Sequence, residues 1–141
     1  MFDKIKHRLA GDEGFTLIEL LIVIVILGIL VAIAVPSYLS FRGSAQDAAA
    51  KSNVRSAIPA AEAYYQNNNS SYALISGAAL RLPTNAPGVS PNVKAGPNAA
   101  GDGYCIQDTE GTKVWSYTGG TGGTSVIAAG ACVAGTYPAV A

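Results

Sequence analysis

The chain has 141 residues, half of them hydrophobic, with nine basic and nine acidic residues and no formal net charge. That balance leaves no basic surface to hold a nucleic-acid backbone, so no specific nucleic-acid partner is expected. One histidine, His7, and two cysteines are too few for a Ser-His-Asp or Cys-His catalytic set or a zinc centre, so no enzyme activity, cofactor or metal is expected.

Residues 1–14 read as a leader. Lys4, Lys6 and Arg8 precede a long apolar run. Positive residues stay on the cytoplasmic side of a membrane, so the N-terminus is expected inside and the rest of the chain outside. Removing the leader takes His7 with it and leaves six basic and six acidic residues. A neutral, sparsely charged surface suits close association with copies of itself.

From Phe15 the pattern predicts one helix to about Gln66, roughly 52 residues or about 78 Å. Residues 15–36 are expected to span a membrane. Between Glu19 and Arg42 stand 22 uncharged residues, mostly Leu, Ile, Val and Ala. At about 1.5 Å per residue they reach about 33 Å, against a hydrocarbon core of about 30 Å. Glu19 breaks the pattern, because a carboxylate at the mouth of an apolar span is costly and marks a functional position. No cation lies downstream within the run. Cleavage after Gly14 would create one, the new α-amino group of Phe15, four residues from Glu19 and on the same helix face. A competing reading takes Ala32-Ile33-Ala34 as an ordinary signal-peptidase site that releases a soluble domain. The run is long for an h-region of about 7–15 residues, and that reading gives Glu19 no role.

Residues 37–67 read as an amphipathic second half of the helix. Tyr38, Phe41, Ala45 and Ala48 follow 3-4 spacing on one face. Val54, Ile58, Ala61 and Tyr65 follow it on a face rotated by about 160°. One stripe is expected to pack on the domain and the other on partner chains, with a single broad buried face as the alternative. Arg42, Asp47, Lys51, Arg55 and Glu62 read as a solvated or inter-subunit edge that contributes little stability. Pro36 and Pro59 each remove a backbone donor and crowd the preceding turn, so a kink or break is expected at both.

Residues 68–141 read as a globular head. Asn67-Asn68-Asn69-Ser70-Ser71 ends the helix, since Asn and Ser favour caps and turns. Asn69-Ser70-Ser71 also fits a glycosylation acceptor, although a plain turn explains it more simply. Residues 72–103 carry Pro83, Pro87, Pro91 and Pro97 and read as a loop-rich connector with a helical turn near Ala78 to Leu82. An antiparallel pattern follows: a strand at Tyr104 to Asp108, a turn at Glu110-Gly111, a strand at Thr112 to Thr118, a glycine-rich turn, and a short strand at Thr124 to Ala128. Such a sheet needs a helix over its apolar face, and residues 37–67 supply it, so the fold class is α+β. An exported domain with two cysteines usually pairs them, so Cys105 and Cys132 are expected to form a disulfide, with two buried thiols as the alternative. Asp102, Asp108 and Glu110 lie near each other in sequence and suggest a calcium site, but they match no loop motif and read as a solvated turn. Ten aromatic residues remain beyond the leader. Packing accounts for them more simply than conduction along a fibre.

Gly14-Phe15-Thr16-Leu17-Ile18-Glu19 followed by the apolar run resembles the class III signal of type IV prepilins. The resemblance is specific from the leader to the end of the helix and is one of general layout beyond it. It implies a ladle-shaped fold and cleavage between Gly14 and Phe15 by a membrane prepilin peptidase, which also methylates the new Phe15 amine. It implies that Glu19 neutralises the Phe15 amine of a neighbouring subunit and sets the register, and that the helix flexes at Gly28 and Pro36, with Pro59 a further such position. The leader ends Asp12-Glu13-Gly14, where the family more often places a basic residue before the glycine. The implied partners are other copies in a helical filament, the peptidase, a pilus assembly platform and the membrane before assembly. The implied function is that of a structural subunit of a surface pilus serving adhesion, motility or DNA uptake. A type II secretion pseudopilin is the alternative, and the cysteine pair leans toward a pilin.

Overall fold

The structure, a computed structural model, describes residues 15–86, 88–134, 136–137 and 140. It divides into two compact units, Met1–Ser40 and Phe41–Ala141. Helix α1, Leu17–Asn67, contributes to both. In the first unit α1 is exposed at every position up to Ser40. Of the kink or break expected at Pro36, a break does not occur. The ring leaves the Ala32 carbonyl without a helical donor, yet the helix continues, with Ser37 Oγ donating to the Ile33 carbonyl at 3.3 Å. Pro59, in the second unit, also leaves α1 unbroken. It lies on an exposed face, where water can reach the freed Arg55 carbonyl.

In the second unit α1 buries Ala50, Val54, Ala57, Ala60, Ala61 and Tyr64. Their 3-4 spacing makes one face, and its many alanines let the sheet approach closely. Of the two stripes expected from the sequence, one has Val54 and Ala61 buried and Ile58 and Tyr65 half-buried, while the other, Tyr38, Phe41, Ala45 and Ala48, is exposed.

After α1 comes a single helical turn, α2, Gly77–Leu80, capped by Ser76 Oγ accepting from the Ala79 amide. Four strands follow: β1 Lys94–Pro97, β2 Gly103–Glu110, β3 Lys113–Gly120 and β4 Ile127–Ala129. They form one antiparallel sheet in the order β1-β2-β3-β4. β1 was not anticipated, because Gly96 and Pro97 read as loop. It is an edge strand, where a proline costs no ladder bond on its outer side. The turn after β2 falls at Gly111-Thr112, one residue later than expected, because Gly111 takes φ 60° and Glu110 pairs with Lys113.

Side chains alternate across β2. Tyr104, Ile106 and Asp108 are all buried, and Tyr104 and Asp108 bond to side chains of α1. Gly119 stands opposite Tyr104, and a Cβ there would come within 2.6 Å of the ring. Glycine is therefore the residue that lets the ring lie over β3. On the other face of β2, Cys105 is bonded to Cys132 with Cα atoms 6.0 Å apart. Gln107 Oε1 accepts from the Cys132 amide at 2.8 Å. These two contacts secure the C-terminal segment to the sheet.

The acidic trio does not converge. Asp102 accepts from Asn98 Nδ2 at 2.7 Å, beside the start of β2. Asp108 lies six residues along the strand, about 20 Å away at a rise of about 3.3 Å per residue. Among the described residues no group of three or more metal-ligating side chains is assembled. Nor is Asp108 solvated, as a turn residue would be; it is fully buried.

Candidate assembly site

Phe15 stands 90% exposed ahead of α1. Thr16 caps the helix. Its amide donates to Glu19 Oε2 at 2.8 Å, its hydroxyl donates to the same oxygen at 2.8 Å, and the Glu19 amide donates back to Thr16 Oγ at 3.3 Å. This is a capping box, Thr-x-x-Glu, in which each end satisfies a donor of the other. Glu19 therefore has a partner in its own chain besides the expected Phe15 amine: Thr16, three residues upstream. The sequence signal was present in Thr16 and Glu19 at capping-box spacing. Oε1 accepts no hydrogen bond among the described residues.

Beyond the cap, the helix is apolar all round. Leu20, Ile24, Leu27, Val31 and Val35 are all about half-exposed or more, as are their neighbours. Such a helix is buried in an apolar medium or among other helices, because soluble monomers rarely expose apolar patches beyond a few hundred Å². Among the described residues it is the one helix long and apolar enough to cross a membrane. Gly28 lies in this stretch with no heavy atom within 4 Å of where a Cβ would stand. Gly14, expected to precede the cleaved bond, lies outside the described residues.

Residues 10–35 match the family model of the prokaryotic N-terminal methylation motif. The type IV wide pilus major component PilA4 of Thermus thermophilus is 37% identical over 108 residues, covering 73% of this chain and 78% of that protein. The chain belongs to the type IV pilin family.

This pilin is also 38% identical over 58 residues to the type IV major pilin protein PilA of Myxococcus xanthus, a match spanning 41% of this chain and 26% of that protein's length. It is 44% identical over 61 residues to the type II secretion system core protein G of Pseudomonas aeruginosa, covering 43% of this chain and 42% of that protein. No solved structure matches the pilin closely enough to add to these.

The head of the pilin is joined to α1 by polar contacts that the sequence had assigned to a solvated edge. Asp47 accepts from Trp115 Nε1 at 3.0 Å and pairs with Lys113 at 3.8 Å. Lys51 Nζ sits 3.9 Å from the centre of the Trp115 ring, a cation–π contact. Glu62 accepts from Tyr104 at 2.8 Å through Oε1 and from Tyr72 at 3.0 Å through Oε2. Burial, then the Glu62 carboxylate, holds both phenols well above their ordinary range. The two rings lie 4.6 Å apart, with Tyr65 stacked beyond Tyr72 at 4.7 Å. Asp47 was not readable from the sequence, because its hydrogen-bond partner Trp115 is 68 residues away. Nor was Glu62, because its partners are 10 and 42 residues away.

Proposed function

We propose that this pilin is a structural subunit of a type IV pilus, cut between Gly14 and Phe15 and polymerised through residues 15–36. The observation that carries the reading is the exposed, apolar first half of α1, whose one acidic side chain, Glu19, is capped by Thr16 and sits four residues after Phe15. Before assembly the helix is held in lipid with the N-terminus inside. A prepilin peptidase removes the leader, and the Phe15 amine is methylated. On assembly each helix exchanges lipid for neighbouring helices in the fibre core, and residues 68–141 lie outside.

Glu19 works in two steps. In the single subunit, Thr16 satisfies Oε2. In the fibre, the Phe15 amine of an adjacent copy approaches Oε1. An amine and a carboxylate attract by about 4 kcal/mol at 4 Å and an effective dielectric of about 20. Only one axial offset brings the two together, so the pair sets register. Gly28, Pro36 and Pro59 are the positions where the helix flexes as it packs. Glu19→Ala leaves incoming amines without an acceptor, so it gives a stable membrane-held subunit and few fibres.

Mass spectrometry of sheared surface fibres tests the reading: the N-terminal peptide begins at an N-methylated Phe15. An intact leader, or a start at Val35, overturns it. The similarity to type II secretion system core protein G, 44% over 61 residues, supports a second reading, a pseudopilin that forms a short periplasmic fibre. Long surface filaments at native expression separate the two.

A further inference from the structure

The far end of β2 meets α1 through carboxylates rather than apolar side chains. Asp108 is fully buried. Its Oδ2 accepts from Asn53 Nδ2 at 3.0 Å, while its Oδ1 has no hydrogen-bond partner among the described residues. The same Asn53 amide also donates to Glu110 Oε1 at 3.3 Å, which accepts from Asn92 Nδ2 at 3.1 Å as well. Two carboxylates therefore share one neutral donor.

The charged groups around the pair are engaged elsewhere. From β3, Trp115 stands opposite Asp108 and Lys113 opposite Glu110, but the Lys113 ammonium turns to Asp47 at 3.8 Å. From α1, Lys51 is over the Trp115 ring, Asp47 holds Trp115 Nε1, and Arg55 is exposed. The connector contributes Asn92, which is neutral. Neither Asp108 nor Glu110 has an ion pair among the described residues. A buried carboxylate without a cation is far costlier ionised than neutral. Burial pushes the Asp108 carboxyl above its ordinary range and the Glu110 charge adds to the push, while Asn53 and the Thr109 backbone pull it back.

We propose that Asp108 is a proton-operated latch, which holds a proton while the end of the β2–β3 hairpin is closed on α1 and releases the hairpin when that proton is lost. On ionisation the proton passes to water. The anion left behind faces Glu110 with Oδ1 dry. Relief comes from an outward swing of the turn at Gly111-Thr112, which lets water reach Oδ1. What resists the swing is polar rather than apolar: the Asn53 and Asn92 bonds to Glu110, the half-exposed Lys113–Asp47 pair, of a kind that contributes little, and the Trp115 contacts. The sign follows from linkage. A carboxyl whose folded pKa is raised binds more protons folded than unfolded, so the closed form is favoured below 3.8 and loses ground as pH rises through the folded value.

The test is hydrogen exchange on the full chain in detergent micelles, below 3.8 and at neutral pH, corrected for intrinsic exchange. The amides of Thr109 to Val114 lose protection several-fold relative to Cys105 and Ile106 as pH rises. Asp108→Asn, which stays neutral, removes that step. Glu110→Gln narrows it. A flat profile in the unaltered protein, or an unchanged step in Asp108→Asn, overturns the latch. Carboxyl carbon NMR of the unaltered protein serves if the variant does not fold: an Asp108 midpoint at or below 3.8 overturns it as well.

Discussion

Glu62→Ala separates a reading based on exposure from one based on contacts. Glu62 is an exposed helix residue, and truncating such a residue ordinarily changes stability by no more than about 0.5 kcal/mol. The contacts say otherwise. Its carboxylate accepts from two phenols, Tyr104 at 2.8 Å and Tyr72 at 3.0 Å, whose residues are 0% and 4% exposed. A hydrogen bond to a charged acceptor contributes about 1.5–3 kcal/mol, and a buried donor left unpaired costs about 1–3 kcal/mol. Water can reach the exposed side of the pair, which reduces the sum, and alanine recovers a few tenths through helix propensity. The expected loss is about 2–4 kcal/mol. Urea unfolding of the full chain in micelles measures it through the fluorescence of Trp115, the one tryptophan. The double variant Glu62→Ala/Tyr104→Phe should be more stable than the two separate losses predict, with a coupling of about 1–2 kcal/mol. A Glu62→Ala protein within about 0.5 kcal/mol of the unaltered chain refutes the reasoning.

Other outcomes follow from the same contacts. Stability falls as pH rises past about 10, because the unfolded chain then releases phenolic protons that folded Tyr72 and Tyr104 retain; a pH series of the same unfolding curves checks this. Cys105→Ser with Cys132→Ser, which opens a loop with a sequence separation of 27, lowers stability by about 3–4 kcal/mol in the chain-entropy model, read as a drop in unfolding midpoint. Gly119→Ala drives a Cβ against the Tyr104 ring and costs about 1–3 kcal/mol, visible in thermal unfolding by circular dichroism. Thr16→Val keeps the shape of the cap but removes its hydroxyl, costing about 0.5–2 kcal/mol at the helix start. Amide exchange at Leu17 to Leu20 should speed up while the head is unaffected.

The sequence alone determined the parts of this pilin whose signal is local. An apolar run of fixed length with a carboxylate at its mouth lies within one stretch, so composition and spacing carried the helix and its apolar length. The helix end and strands β2 and β3 were also legible, because Asn-rich and Gly-rich breaks and two-residue alternation need no partner to be read. Only the tertiary structure decided the seam between head and helix. β1 has a poor strand sequence and exists because β2 offers it an edge. Asp47, Glu62 and Asp108 carry the same charge, and nothing in their immediate neighbours says which are dry. Strand register settled it: Tyr104 at one end of β2 reaches Glu62, Asp108 at the other meets Asn53 with Trp115 opposite, and the neighbouring Trp115 indole takes Asp47. A hydrogen bond between residues 42 or 68 positions apart has no periodicity for a sequence to display.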